Sequence, residues 1–339
     1  MRLTRWRWAT VPALLLALTV GAACGGDDGD ESLTVYSGRS ESLIGPLLAQ
    51  FEDETGISVS VRYGSTTEMT TTILEEGGNS PADVFIAQDT GGLGAVQNAG
   101  LFEPLSQDIL DQVDAKWRSD DGGWVGLSGR ARVLVYNNQS LTPADLPGSI
   151  LDLTDPQWSG RVAWAPTNAS FQAFVTALRI QHGEDVARDW LEGMIANDVA
   201  TYEGNRPIVE AVAAGEVEVG LVNHYYLHGF LADHGESYTA RNHYMDAGDT
   251  GALVGVAGGG ILASSDNKDA AVRLIEFLLS DEAQTYFAEE TYEYPVVASV
   301  PANADLPGLN EIQPPAIDLD DLEDLEGTLA LLREVGALE

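Results

Sequence analysis

Val217-Glu218-Val219-Gly220-Leu221-Val222 runs straight into Asn223-His224-Tyr225-Tyr226-Leu227-His228-Gly229-Phe230. The first six residues carry a strand pattern and the rest a helical one, so the stretch reads as one strand–helix unit of an α/β sheet. On a strand, adjacent side chains point to opposite faces. In a first helical turn capped by Asn223 they lie roughly 100° apart, so the phenols of Tyr225 and Tyr226 converge on one point. The amino end of a helix carries positive potential, which favours a phenolate over a phenol. A phenol ionises near pH ~10 in water, so two phenolates at one point need a strong cation beside them. A hard trivalent cation such as ferric iron suits hard anionic oxygens. The same dipeptide also fits a half-buried aromatic pair packing a helix on a sheet, and by itself it leaves both readings open.

Outward from this stretch, the chain's 339 residues are enough for about two domains of ordinary size. Arg2, Arg5 and Arg7 make a basic start, Val11 to Val20 an apolar run, and Gly21-Ala22-Ala23 a small-residue cleavage site. Residues 1–23 therefore read as a signal peptide, whose apolar run is too short to span a bilayer. Cys24, the only cysteine, follows directly. The pattern resembles a bacterial lipoprotein signal in which Cys24 becomes the lipidated first residue, with Gly21 standing where a Leu is usual. A plain secretory signal with a free thiol is the other reading; lipidation accounts for a cysteine that has no disulfide partner. One acylated terminus anchors and does not span. That places the protein on the outer face of the cytoplasmic membrane, in a periplasm or cell-wall space. Residues 24–32, with Gly25-Gly26-Asp27-Asp28-Gly29-Asp30-Glu31, read as a flexible acidic tether.

The formal net charge is −36. Without the three leader arginines, 14 of the 17 basic residues remain against 53 acidic ones, a net −39. Such a surface repels nucleic acid and anionic headgroups, which excludes nucleic acid as a partner. It attracts cations everywhere, so acidity alone locates no site, and solubility or a salty habitat explains it.

Leu33-Thr34-Val35-Tyr36 is a short strand ending at Ser37-Gly38-Arg39, and Ser40 opens a helix with Leu43, Leu47, Leu48 and Phe51 on its apolar positions. Residues 56–61 give a second strand, Thr66 to Glu76 a helix, 82–87 a buried strand, and Thr90 to Ala99 a helix. Strand–helix alternation means a mostly parallel sheet covered by helices, whose ligands bind at the carboxyl ends of strands. Ser37 to Ser40 and Gln88-Asp89 fall there. Further on, Val133 to Tyr136 is an unbroken apolar strand. Helices follow at about Phe171–Gln181, Asp185–Ile195 and Ile208–Ala214. Gly251 to Ala257 reads as strand, Lys268–Leu279 and Asp281–Glu289 as amphipathic helices, and Ile312 to Glu339 as mostly acidic helix.

With the tyrosine pair in place, the pattern resembles the ferric-ion-binding proteins of bacterial iron ABC importers. The likeness rests on Leu33-Thr34-Val35-Tyr36-Ser37-Gly38-Arg39, Ser80-Pro81-Ala82-Asp83-Val84-Phe85, Leu127-Ser128-Gly129-Arg130-Ala131-Arg132, Asn223-His224-Tyr225-Tyr226, Gly251-Ala252-Leu253-Val254 and Asn267-Lys268, in family order and spacing. It covers nearly the whole mature chain. It implies a two-lobed α/β periplasmic-binding-protein fold of type II, with mostly parallel sheets, flanking helices and a two-strand hinge. The chain then crosses between lobes near Arg132–Tyr136 and Val254–Gly258. Lobe 1 is 33–131 with 255–308, and lobe 2 is 132–254 with 309–339. The implied function is an extracytoplasmic, monomeric receptor that closes on ferric iron and hands it to the permease and ATPase of an ABC importer.

In the family the adjacent tyrosines coordinate iron, and that role carries over onto Tyr225 and Tyr226. The first-lobe ligands do not carry over. Where a His often follows the Tyr-x-Gly-x run, Ser40 stands here, followed by Glu41; where some members have a Glu, Gln88 stands, followed by Asp89. Gln88, Glu41 and Asp89 are the first-lobe candidates, with Tyr63 and Glu68 as further ones. Glu41 and Asp89 read equally as solvated surface acids. Family members also hold a synergistic anion, carbonate or phosphate. Arg130 matches an anion contact of carbonate-binding relatives. Asn168, Ala169 and Ser170 match the helix start whose amides hold the anion, and Asn205 and Asn223 match supporting asparagines. Amides at a helix start and a guanidinium fork make an anion cradle. Arg130 reads alternatively as the ion-pair partner of Asp83 or Asp89. Some members use a third tyrosine near this helix, where Phe171 stands here.

Two other functions fit the same residues less well. A binding protein of this fold for a small organic ligand, such as thiamine, a polyamine or a phosphonate, would stack it on the tyrosines. A metal-dependent hydrolase would need zinc spacing, and the five histidines form no HExxH. No nucleophile-elbow Ser or phosphate-loop glycine pattern occurs either, so no enzyme is expected. His224 and His228, one helical turn apart, read as packing or solvated residues.

Overall fold

The computed structural model describes residues 31–338. The expected leader, Cys24 and the tether up to Asp30 lie outside the described residues. The strands are β1 (Ser32–Ser37), β2 (Ser58–Tyr63), β3 (Val84–Ala87), β4 (Phe102–Glu103), β5 (Val125–Asn137), β6 (Val162–Trp164), β7 (Ala200–Thr201), β8 (Val219–Asn223), β9 (Ala240–His243) and β10 (Val254–Leu262). The helices are α1 (Glu41–Thr55), α2 (Thr66–Glu76), α3 (Thr90–Asn98), α4 (Gln107–Leu110), α5 (Ala169–His182), α6 (Glu184–Ala196), α7 (Asn205–Ala214), α8 (Tyr225–His234), α9 (Lys268–Leu278), α10 (Asp281–Glu289), α11 (Leu309–Ile312) and α12 (Leu325–Glu334).

The strands follow one hydrogen-bonded path, β2-β1-β3-β10-β5-β8-β6-β7, with β4 beside β10 and β9 beside β5. The long β5 makes this path two sheets. Its residues Val125 to Ala131 pair with β10, and Arg132 to Tyr136 pair with β8. Parallel pairings hold the wings, β2-β1-β3 on one side and β8-β6-β7 on the other. Every pairing of β5 or β10 is antiparallel. Wing strands joined by helices run parallel because each helix carries the chain back over the sheet. The two long strands enter from the other lobe and run against them. This is the two-lobed type II architecture, with the cleft at the carboxyl ends of the wing strands.

Each wing buries its helices by period. Ile44, Leu47, Leu48 and Phe51 of α1 are buried, as are Ile208, Val209, Ala211 and Val212 of α7. Three expectations are corrected. Asn223 is the last residue of β8 and not a helix cap; His224 precedes α8 with helical dihedrals and no side-chain cap. Gly251-Ala252 belongs to a 3-10 turn opened by the Asp249 carboxylate, which accepts from the Gly251 amide at 2.7 Å, and strand begins only at Val254. The tail is not one helix from Ile312 onward: Pro314-Pro315 stops α11, because proline lacks the donor and clashes with the preceding turn. After a 3-10 turn at Asp320–Glu323, α12 resumes.

That tail touches both lobes. The 3-10 turn lies on α3, where a Cβ on Gly94 would stand 2.4 Å from the Glu323 Cβ. Helix α12 packs on α5 of the other lobe, with the buried hydroxyls of Thr176 and Thr328 at 2.7 Å and Arg179 Nη2 donating to Asp324 Oδ2 at 2.9 Å. No described helix is long and apolar enough to cross a membrane.

Candidate metal centre

Strand β8 ends and α8 begins at the floor of the cleft, which places Tyr225 and Tyr226 on the helix's first turn. Tyr225 is 4 % exposed, Tyr226 is half-buried, and their rings stack with centroids 4.4 Å apart and planes 28° apart. Gln88, one residue past β3 in the opposite lobe, donates from Nε2 to the Ser170 hydroxyl at 3.2 Å and to the Tyr225 hydroxyl at 3.4 Å. Thr67 of α2 donates to the Gln172 side chain of α5 at 3.0 Å. The lobes are therefore in contact across the cleft. A cavity of about 350 Å³ remains, lined by Ser40, Ser42 and Tyr292 on one side and by Asn168, Asn205, Tyr225 and Tyr226 on the other.

Behind the phenols lie three buried arginines. Arg130 and Arg132 are two apart on β5, so they share a face. Arg130 Nη2 donates to Asp89 Oδ2 at 2.5 Å, and Arg132 Nη1 reaches Asn223 Oδ1 at 3.5 Å while its guanidinium lies over the Phe174 ring. Arg39, just past β1, grips Glu293 with both ends of its fork at 3.0 and 2.6 Å. Ser128 and Thr291 each donate to the Glu293 carboxylate at 2.9 Å. Burial opposes ionisation of Glu293, but Arg39 and these hydroxyls outweigh it and hold the carboxyl below its usual range. Burial lowers Arg132 to about 10, against the pull of Asp89 and with the push of Arg130.

The Tyr225 phenol is pushed well above its ordinary value. Burial does most of this, with Tyr226 and Glu293 adding to it and Arg39 and Arg130 pulling it back. With no cation beside it, Tyr225 is a neutral phenol. A cation strong enough to strip that proton gains a phenolate already faced by guanidinium groups.

The expected anion contacts fall into two groups. Asn168 caps α5 by accepting from the Ser170 amide at 3.1 Å, and Ala169 is the first residue of that helix. Asn223 Nδ2 donates to the Ser170 hydroxyl at 2.9 Å, and Asn205 Oδ1 accepts from the Asn223 amide at 3.1 Å. Asn205 is buried, and its Nδ2 has no hydrogen-bond partner. Asn168, Asn205 and the tyrosines share the cavity wall. Arg130 stands apart: it does not line the cavity, and it is paired with Asp89, the alternative left open by its sequence. One of its nitrogens, Nη1, is buried without a partner, as is Arg132 Nη2. Asp83 is spent elsewhere, on Thr34, Ser265 and Asn267.

Two first-lobe candidates, Asp89 and Glu41, lie off the cavity wall. Asp89 is buried and committed, to Arg130 through one oxygen and to the Thr90 amide at 3.0 Å through the other, as the cap of α3. Glu41 is exposed on the first turn of α1 and does not line the cavity. Glu68 is exposed and Tyr63 half-buried, both off the cavity wall. Gln88 alone of the first-lobe candidates reaches the tyrosines. His224 is closed to metal: its Nδ1 accepts from the Ala131 amide at 3.1 Å and its Nε2 donates to the Tyr292 carbonyl at 2.7 Å. Among the described residues no group of three or more His, Cys, Asp or Glu is arranged to hold a metal ion.

Arg39, Arg132 and Glu293 were not singled out as site residues from the sequence. A faint signal existed: Arg39 and Arg132 each end a quoted motif, in a chain where basic residues are scarce. Glu293 carried none.

The profile of the family described as bacterial extracellular solute-binding protein matches residues 79–324. The "Fe(3+)-binding periplasmic protein" of Serratia marcescens is 35% identical over 331 residues, covering 96% of this chain and 97% of its own. The "Major ferric iron-binding protein" of Neisseria meningitidis serogroup B is 32% identical over 336 residues, covering 98% and 99%. The crystal structure of iron-bound HitA from Pseudomonas aeruginosa superposes with a TM-score of 0.87 at 35% identity, covering 90% of this chain and 99% of HitA. Those relatives are binding proteins of transport and not enzymes. With this fold, this cleft and these relatives, the chain belongs to the bacterial extracellular solute-binding protein family.

Proposed function

We propose that the protein is an extracytoplasmic receptor for ferric iron, which it captures between its lobes with Tyr225 and Tyr226 and delivers to an ABC permease. The observation that carries this reading is the stacked phenol pair on the first turn of α8, facing a cleft cavity and backed by Arg39, Arg130 and Arg132. Two phenolates are hard oxygen donors of the kind a ferric ion selects. Gln88 is the first-lobe contact to the same group. Carbonate or phosphate fills further positions against the start of α5 (Asn168, Ala169, Ser170), with Asn205 and Asn223 behind it. Arg130 contributes through its free Nη1 or through the field it sets up.

The lobes divide as 33–131 with 255–308 and 132–254 with 309–339, the tail serving as a brace between them. Cys24 carries the lipid anchor. The relatives' names support the iron assignment, and the β5 crossing supports closure as a hinge motion. Purified mature protein titrated with ferric iron tests the reading directly. Phenolate-to-iron charge transfer gives a visible band, which Tyr225→Phe with Tyr226→Phe abolishes. A colourless titration, or a band untouched in the double variant, rejects it.

A further inference from the structure

His224 stands where β5 passes from one sheet to the other. Ala131 is the last β5 residue in the run paired with β10, opposite Val254; Arg132 is the first paired with β8, opposite Asn223. The next rung beyond Asn223 is made by His224 in an unusual way. Its amide donates to the Ala131 carbonyl at 3.0 Å, and the Ala131 amide donates to the imidazole Nδ1 at 3.1 Å. A ring nitrogen thus stands in for a main-chain carbonyl at the crossing residue. That fixes the tautomer, because Nδ1 accepts and Nε2 must carry the hydrogen.

The same ring reaches the other lobe. Nε2 donates to the Tyr292 carbonyl at 2.7 Å, and the ring packs on Tyr294 with centroids 5.0 Å apart. One turn along α8, the His228 ring stacks on Tyr292 at 4.6 Å and 14°. The segment 292–294 is itself fastened to lobe 1: Tyr294 exchanges main-chain hydrogen bonds with Gly129 of β5 at 2.7 and 2.8 Å, and Glu293 is gripped by Arg39. Tyr292 holds a φ of +55°, a region a bulky non-glycine residue rarely adopts. Strain of this kind persists where surrounding contacts fix it, and it gathers at switches and clamps. Tyr225 follows His224 directly, and its ring stands edge-on to the imidazole at 5.8 Å.

We infer that His224 is a positioning residue: it couples rotation at the β5 crossing to the placement of the phenol pair, with the Tyr292 segment as its first-lobe anchor. Lobe closure and the docking of the phenol pair against Gln88 are then one mechanical event. Opening the lobes twists β5 at Ala131–Arg132, breaks the Tyr292 contacts and carries the start of α8 away from Gln88. This rests on the ferric reading above, and it adds a route by which opening releases the ion.

Two variants test it. His224→Phe keeps the ring volume and the packing on Tyr294 but removes both ring hydrogen bonds. Tyr292→Gly suits a positive φ, so the backbone holds, while the stack on His228 is lost. In each, the visible band, the rate of iron loss to excess EDTA, and the small-angle scattering change on loading are measured beside the parent. The expected result is an unchanged band position in both. Iron loss is roughly tenfold faster or more in His224→Phe, the size of one hydrogen bond present only in the closed form. It is faster by a smaller factor in Tyr292→Gly, which keeps the Tyr292 carbonyl and loses the ring stack alone. The scattering contraction on loading is also reduced. A purely structural role lowers the melting temperature of the folded variants and leaves release and contraction at parental values, which overturns the inference. If His224→Phe does not fold, Tyr292→Gly decides by the same two readouts. A parent that takes no colour sinks the ferric reading and this inference together; a coloured parent whose variants release iron at its own rate sinks this inference alone.

Discussion

Replacing Tyr225 by Phe isolates one oxygen. The ring fills nearly the same volume, so the packing against His224 and the stack on Tyr226 persist. The lost hydrogen bond is the weak one: Gln88 sits 3.4 Å from the phenol oxygen and keeps its Ser170 partner at 3.2 Å, so no donor is orphaned. Stability of the iron-free protein should change by less than about 1 kcal/mol, since a buried group with a poor partner contributes little. Iron binding should change far more. Structural metal sites with four ligands bind with about 10–16 kcal/mol, so one anionic ligand is worth about 2.5–4 kcal/mol, or roughly two to three decades of affinity. Competition against a chelator of known ferric affinity, read at the charge-transfer band, measures the loss, and thermal unfolding without iron supplies the control. Tyr226→Phe should lose a similar amount of affinity with even less effect on the fold, because that ring is only half-buried. If both variants kept the parent's colour and affinity, the phenol pair would be packing and nothing more.

Iron uptake should release at least one proton per ion, because burial keeps Tyr225 protonated until the metal ionises it; ferric affinity then falls as pH falls, which proton counting in buffers of different ionisation enthalpy checks. Arg130→Gln should weaken iron binding most when carbonate or phosphate is supplied and least when both are removed; an equal loss at every anion concentration would make the arginine structural. Glu293→Gln leaves the Arg39 guanidinium buried without its counter-charge and should cost about 3–5 kcal/mol in denaturant unfolding, whereas Arg39→Met with Glu293→Met should cost much less. The pair's contribution has a definite pH sense. The folded Glu293 carboxyl lies below its ordinary value, so its stabilisation is complete above the unfolded carboxyl range and fades as pH falls through the folded value.

Local structure was legible where its causes are local. The helix expected over Thr66–Glu76 is observed at those residues, because Ser65 caps its start and Gly77 ends it. Helix α10 spans Asp281–Glu289 as its pattern implies, opened by the Ser280 cap. The tyrosine pair was legible for the same reason, as a strand turning into a helix. Long-range pairing was not. Arg39 and Glu293 stand 254 positions apart, and no periodicity links them. Asp89 carries two readings in the sequence, first-lobe ligand or partner of Arg130, and the structure pairs it with Arg130, because a neighbour in sequence is not a neighbour in space at a strand–helix turn. Gln88 faces the cleft, while Asp89 turns inward to cap α3 and meet Arg130. The tail failed for a plainer reason: its acidic, leucine-bearing pattern is helical, but Pro314-Pro315 divides it, and its contacts with both α3 and α5 appear only once the lobes are assembled.

Charge explains why so acidic a chain places arginines here. Of its 17 basic residues, three lie buried within electrostatic reach of one phenol pair, beside two buried carboxylates, Asp89 and Glu293. That leaves one surplus positive charge behind the cleft. Two phenolates and a trivalent ion together add one more. A buried surplus of two is costly in a poorly solvated cleft. A dianion such as carbonate or hydrogen phosphate brings the assembly to neutrality, whereas a monoanion leaves one charge over. The buried Asn205 Nδ2 on the cavity wall gives such an anion a donor that the protein leaves unpaired. The same count gives the direction for Arg130→Gln at a pH where Asp89, raised by burial and now without its Arg130 partner, stays ionised: with one positive charge fewer, a dianion overshoots and a monoanion suffices. The variant should therefore lose its preference for carbonate or phosphate over formate, whatever else it loses, and that loss is a signature which a stiffened or loosened cleft would not produce.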